Sequence, residues 1–136
     1  MPRSLAFGLT VTDLAFLSYW AATALFAVGL IDLPPDLLYS NYHDPRVVGW
    51  NWSFFPLDVA FSISGLAAVR LAAKGDPLWR PMALVSLVLS STAGLMAISY
   101  WLVLWEIEPT WFGVNLVLFV WPLWFIPGLV RDLSRR

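Results

Sequence analysis

An aspartate stands at the head of an apolar run, Phe54-Phe55-Pro56-Leu57-Asp58, with Ser62 one helical turn on and Gly65 two turns on, so a carboxylic acid and a narrow polar face sit where hydrocarbon is expected. An ionisable group at the bilayer centre costs at least about 2.5–3.5 kcal/mol on insertion scales, and it is seldom kept there without a partner or a task. A second acid, Glu106, completes a seven-residue repeat with Thr92 and Ser99, one helical face flanked by Tyr100, Trp101 and Trp105. Asn115 brings an amide that can donate to a carboxylate. Asp13 interrupts the first apolar run, and His43, the one histidine, sits in Tyr42-His43-Asp44-Pro45. Acids beside indole faces suit a cationic or carbocationic guest, because both stabilise positive charge. In catalytic terms, Asp58 or Glu106 is the acid that protonates an alkene, Asn115 and His43 orient it, and Trp101 and Trp121 shield the cation.

Each of these groups also has a plainer reading. Asp58 can serve as a carboxylate at a helix N-terminus, where free N–H groups and the helix dipole stabilise it. Ser62, Ser99 and Thr92 can bond back to their own helices or pack as small residues. Glu106 with Glu108 can be a solvated turn, and Asp13 can be structural or pair with Arg70 or Arg80. Trp20, Trp101, Trp121 and Trp124 can be packing residues, whereas Trp50, Trp52, Trp105, Trp111 and Trp79 fall where interfacial belts are expected. No His-x-x-x-His or Glu-x-x-His pair points to a metal. No Ser-His-Asp arrangement, phosphate-binding glycine loop or dinucleotide fingerprint points to a cofactor.

The elements that must hold these residues follow from composition. Of 136 residues 60% are hydrophobic and 12% charged, with mean hydropathy +0.73, which is too apolar for a soluble domain that has to cover its surface with polar groups. About 20 residues of helix cross the hydrocarbon core, and four such runs fill the chain: residues 5–31, 54–73, 81–105 and 111–130. The expected fold is all-α, a single four-transmembrane-helix domain over residues 1–136. The apolar part of the first run, Leu14 to Ile31, exceeds a signal-peptide core, and Leu33-Pro34-Pro35-Asp36 is no small-residue cleavage site, so the run reads as a retained helix. The absence of cysteine removes disulfides, thiolate nucleophiles and thiolate metal ligands, and leaves the redox compartment undetermined.

Four spans put Arg3, Arg70, Lys74, Arg80, Arg131, Arg135 and Arg136 on one side and Arg46 on the other. This positive-inside bias places both termini in the cytoplasm of a bacterial inner (cell) membrane. The acids divide the other way, with Asp32, Asp36, Asp44, Asp58, Glu106 and Glu108 toward the outer side. No exposed basic domain exists for nucleic acid. Pro56 and Pro81 stand near helix starts, where a missing N–H costs least. Pro122 and Pro127 fall inside the fourth run and predict a kink. Gly75-Asp76-Pro77 is a turn. Residues 32–53, with Tyr39, Tyr42, Trp50, Asn51 and Trp52, carry too many amphipathic aromatics for a solvated linker and are expected to fold back as an outer cap.

Two resemblances attach to these motifs. Asp44-Pro45, then Trp50-Asn51-Trp52-Ser53-Phe54-Phe55-Pro56-Leu57-Asp58, then Ser62 and Gly65-Leu66, is similar to small bacterial four-helix membrane proteins of the YvaD-like type. The order of elements also resembles the emopamil-binding-protein and sigma-2-receptor superfamily: a first helix ending in acid and proline, an aromatic Asp-Pro cap, an early acid in the second helix and a kinked fourth. That resemblance implies a bundle enclosing a sterol or amine pocket lined by carboxylates and aromatics. The chain departs from that pattern at catalysis, since sterol isomerases of the group place a histidine within the bundle and His43 lies in the loop.

The functional expectation is an acidic, aromatic-lined intramembrane pocket for an apolar or cationic amphiphile, or an isoprenoid isomerase or cyclase. The site residues are Asp58, Glu106 and His43 for chemistry, and Asn115, Trp101, Trp121, Ser62, Ser99 and Trp52 for the ligand, with no metal and no cofactor. The partners are membrane lipid, the small molecule and a second copy of the chain. The competing expectations are a proton-coupled transporter of lipophilic cations, in which Asp13 or Asp58 alternates between proton and substrate in a dimer, and a non-catalytic subunit of a membrane complex.

Overall fold

In lipid a backbone must satisfy its own polar groups, so long apolar runs form helices. The computed structural model describes residues 1–34, 37–39 and 41–135, and all its regular structure is α-helical; the positions expected for Asp36 and Arg136 lie outside the described residues. The helices are α1 (Arg3–Ala27), α2 (Pro45–Ser53), α3 (Phe55–Ala73), α4 (Trp79–Leu104), α5 (Pro109–Leu123) and α6 (Ile126–Ser134). Among the described residues four stretches are long and apolar enough to cross a membrane: α1, α2 with α3, α4, and α5 with α6. The fold is a four-span membrane bundle. One end carries both termini and the other is covered by α2 and the α4–α5 turn; these are the terminal end and the cap end below.

Local chemistry sets the boundaries. The first helix stops at Ala27, short of the expected residue 31, because Gly29 adopts φ +72° and Leu30 N–H reaches back to the Leu25 carbonyl at 2.9 Å, which together terminate a helix. The last part of the expected cap between the first and second spans is α2, whose first amides are capped by Asp44: its Oδ1 accepts from Arg46 N–H at 2.8 Å. Only Phe54 separates α2 from α3. The expected kink of the fourth span falls between α5 and α6. Pro122 and Pro127 cannot donate, the chain turns tightly at Trp124 and Phe125, and α6 starts afresh at Ile126.

α3 packs against α1 on one side and α4 on the other, and α4 also supports α5 and α6. Close approach of α4 and α5 depends on Gly94, where a Cβ would lie 2.5 Å from Phe119 N and 2.6 Å from Asn115 O. Ser91 Oγ donates across the same seam to the Phe119 carbonyl at 2.9 Å. The core divides into two clusters. Leu5, Leu9, Ala68, Trp79, Ala83, Leu87 and Leu129 fill the terminal end, and Phe61, Ala93 and Leu118 lie nearer the cap. Val103, Phe7, Val117 and Ile63 are among the most exposed apolar side chains, as lipid-facing residues should be.

Candidate functional site: an aromatic cavity at the cap end

A cavity of about 200 Å³ lies between α1 and α5, above the small side chains of Ala93 and Ala97 on α4 and beneath the cap. α1 supplies Phe16, Tyr19 and Trp20; α2 supplies Trp50 and Asn51; α5 supplies Trp111, Val114, Asn115 and Leu118; Trp101 and Asp58 complete the wall with Leu38 and Tyr39. Alanines at Ala15, Ala93 and Ala97 leave the space open. Its lining is mostly apolar with a few polar groups, as small-molecule sites generally are, although its volume lies below the roughly 300–1,000 Å³ of drug-sized pockets.

Among the described residues Asp58 is its one acidic lining residue. The side chain is 4% exposed; Oδ2 accepts from Trp20 Nε1–H at 2.9 Å, and Oδ1 has no hydrogen-bond partner among the described residues. The carboxylate does not cap α3: no side chain caps that helix, and Asp58 N–H already bonds the Phe54 carbonyl at 2.9 Å. Trp20 is in turn fixed by ring contacts with Tyr19, Trp52 and Phe55 at 5.1, 5.3 and 5.2 Å. Opposite, Tyr19 Oη donates to Asn51 Oδ1 at 2.9 Å, tying α1 to the cap, and Trp50 stacks on Tyr100 at 4.0 Å. Tyr19 also meets Trp111 edge-on at 6.2 Å, which closes the mouth between α1 and α5. Burial pushes the Tyr39 phenol above its ordinary value. The mouth is anchored by Glu108, which caps α5 through Oε2 accepting from Trp111 N–H at 2.7 Å; that bond holds its carboxyl below the usual range.

Of the residues singled out in the sequence, the cavity brings together Asp58, Trp101 and Asn115. Asn115 Nδ2 donates to its own helix at Trp111 O, 2.8 Å away, which leaves its carbonyl oxygen for other partners. Trp52 lies behind the wall, packed on Trp20 and Phe55. Ser62 is buried outside the cavity lining, its hydroxyl without a partner among the described residues.

The remaining expectations are displaced. Glu106 is exposed and outside the cavity, because α4 ends at Leu104 and Trp105 takes a left-handed φ of 55°, so the seven-residue stripe breaks one residue before the acid. Ser99 and Thr92 bond back to the Leu95 and Val88 carbonyls. His43 is exposed, its ring tilted at 39° against Tyr42 with centroids 3.9 Å apart, and the neighbouring Asp44 caps α2. Trp121 belongs to the terminal end, pressed against Gly8, where a Cβ would come within 2.8 Å of its ring. Among the described residues no three His, Cys, Asp or Glu side chains gather to hold a metal ion.

Sequence reasoning passed over Tyr19 and placed Asn51 only in the cap. Trp20 read as a packing residue inside the first span, and a signal for the Trp20–Asp58 pair existed in the indole's need for an acceptor.

The bundle and its capped cavity define a small polytopic helical membrane protein. Residues 5–136 match the model of a family of unknown function, DUF5360, and the chain belongs to that family. It is similar to the uncharacterized protein YvaD of Bacillus subtilis (strain 168), with 35% identity over 125 residues, 92% of this chain and 90% of that protein. No solved structure matches the chain.

Proposed function

We propose that this protein binds a small apolar amphiphile bearing positive charge, seated in the cap-end cavity with its charged group at Asp58. The observation that carries the reading is the unpartnered Oδ1 of a buried carboxylate in a chamber walled by indole rings. A carboxylate in low dielectric and aromatic faces favour cations and reject anions. The cavity's size suits a small amine or the head of a longer chain such as an isoprenoid. Binding is favoured over isomerase or cyclase chemistry because that chemistry needs a second acid–base group, and Glu106 and His43 stand away from the ligand space.

The test is binding of a lipophilic amine and a neutral analogue of equal size to the protein and to Asp58→Asn. That substitution keeps shape and removes charge. A charged hydrogen bond is worth about 1.5–3 kcal/mol, so the amine should weaken by about ten- to a hundredfold and the neutral analogue by far less. Trp101→Leu should reduce the same preference by less, as a cation–π contact of about 0.5–2 kcal/mol would. Equal loss for both ligands, or no amine binding by the unaltered protein, removes the reading and favours a role as subunit of a membrane complex.

The cap end faces outward in this reading, from the seven-to-one distribution of basic residues. In intact cells an impermeant thiol reagent should label a cysteine at His43→Cys and not one at Ser134→Cys. The reverse pattern inverts the topology.

A further inference from the structure

The cavity is covered above and floored below, and its remaining side faces the bilayer. Above it the cap is latched twice, by the Tyr19–Asn51 hydrogen bond and by the Trp50–Tyr100 stack, and Asn51 is itself buried. Below it Phe61, Ala93 and Leu118 form a floor. Further toward the termini a Cβ on Gly65 would land on Asp13 Oδ2 and lie 2.7 Å from Ser86 Oγ, so α1, α3 and α4 meet there without a gap. On the remaining side stand α1 and α5, which pack on α3 and α4 respectively rather than on each other. Two side-chain contacts join them: Tyr19 meets Trp111 near the cap, and Gly8 lies against the Trp121 ring toward the termini.

Those two contacts fix the register of α1 against α5. They are eleven residues apart on α1 and ten on α5, about 15 Å of helix on either side. Between them stand Ala15 on α1 and Val114 on α5, each seven residues from the lower contact and so at one depth. Both line the cavity and both are exposed, Val114 at 48%. A side chain that lines an interior space and also faces outward belongs to the rim of an opening, and outside a membrane span lies hydrocarbon. The opening is also deeper in the membrane than the acid. Asp58 stands level with Trp20, which is five residues nearer the cap than Ala15, about 7.5 Å along α1. An amphiphile in the cap-side leaflet has the same order, with its charged head toward the interface and its chain toward the bilayer centre.

We propose that the cavity opens between α1 and α5 into the cap-side leaflet, and that its ligand is a long-chain amine taken from the bilayer, with the ammonium at Asp58 and the chain passing out between Ala15 and Val114. A space of about 200 Å³ under a latched cap holds the head and the first methylenes, and the rest of the chain stays in lipid. That part of the chain is in hydrocarbon both before and after binding, so its length adds no driving force and the protein selects the head. This inference rests on the cavity reading and adds to it the source of the ligand and the part of it that the protein holds.

The test is equilibrium binding of butylamine and of dodecylamine to the full chain in lipid vesicles, with each dissociation constant expressed as amine per lipid. The two should agree within about threefold, because a chain already in hydrocarbon gains nothing by lying in the window. Ala15→Trp and Val114→Trp, made separately, fill the window at positions already exposed to lipid. Each should weaken dodecylamine by at least about tenfold and butylamine by less than about threefold, and the retained butylamine binding reports that the variant is folded. A spin label on Ala15→Cys, in a chain with no cysteine of its own, should be relaxed by oxygen dissolved in the lipid and not by a water-soluble nickel chelate. Binding of butylamine with exclusion of dodecylamine means an enclosed cavity, which overturns the window and leaves the cavity reading standing. Dodecylamine binding that neither substitution disturbs overturns the window as well, as does a label at position 15 that the nickel chelate reaches. Binding of neither amine overturns the cavity reading and this inference with it.

Discussion

The two ends of the bundle solve the same packing problem with different residues. At the terminal end, leucines, alanines and Trp79 interlock into a filled core, and Trp121 presses directly onto Gly8. At the cap end, α1 and α5 are held by aromatic rings meeting edge-on, and alanines on α1 and α4 stand where larger side chains would fill the gap. Both ends bury apolar surface, yet among the described residues only the cap end keeps a buried carboxylate facing open space. Tight packing and a cavity are therefore separated along the membrane normal, with Ser62, Gly65, Ser86 and Asp13 between them.

That contrast is broken most directly by exchanging volume. Leu87→Ala removes a fully buried side chain from the filled end and should destabilise the bundle by about 2–5 kcal/mol in reversible unfolding. Ala97→Leu adds volume to the open end and should cost less than the roughly 1–3 kcal/mol of overpacking a filled core, while abolishing ligand binding. Similar stability losses in both would erase the distinction between the ends.

A smaller effect sharpens the cap-end chemistry. Trp20→Phe keeps a ring against Trp52 and Phe55 but deletes the N–H that Asp58 Oδ2 accepts, leaving a buried acceptor unsatisfied at about 1–3 kcal/mol. Unfolding should show that loss, and amine affinity should change with it because the carboxylate is freed to turn. Wild-type stability and affinity together would mean that the indole only packs beside Asp58.

The spans were legible because hydrophobic length is nearly sufficient to define a membrane helix, and Asp58 was legible because an acid in such a run is costly. The cap's return over the bundle was also legible from its aromatics, and the structure adds that Asp44 and Pro45 start a helix there. Glu106 misled because periodicity assumes a continuing helix, and nothing in Leu104-Trp105-Glu106 resembles the glycine or proline that usually marks a stop. The meeting of Asp13 with Ser86 depends on which helices touch and in what register, which a single sequence does not contain; Gly65 hinted at a close approach but not at its partners. Trp121 read as a cavity wall because its depth along the fourth span was not fixed until the break at Trp124 and Phe125 was seen.

The central claim, that a cation-bearing amphiphile occupies the cap-end cavity, is tested most directly by photolabelling the protein in lipid with a lipophilic amine that carries a photoreactive group, followed by mapping the adducts by mass spectrometry. Adducts should fall on cavity residues such as Trp101, Trp111 and Val114, should be displaced by unlabelled amine, and should be lost in Asp58→Asn. Adducts confined to lipid-facing side chains such as Val103 and Val117, insensitive to competitor and to Asp58→Asn, would contradict it.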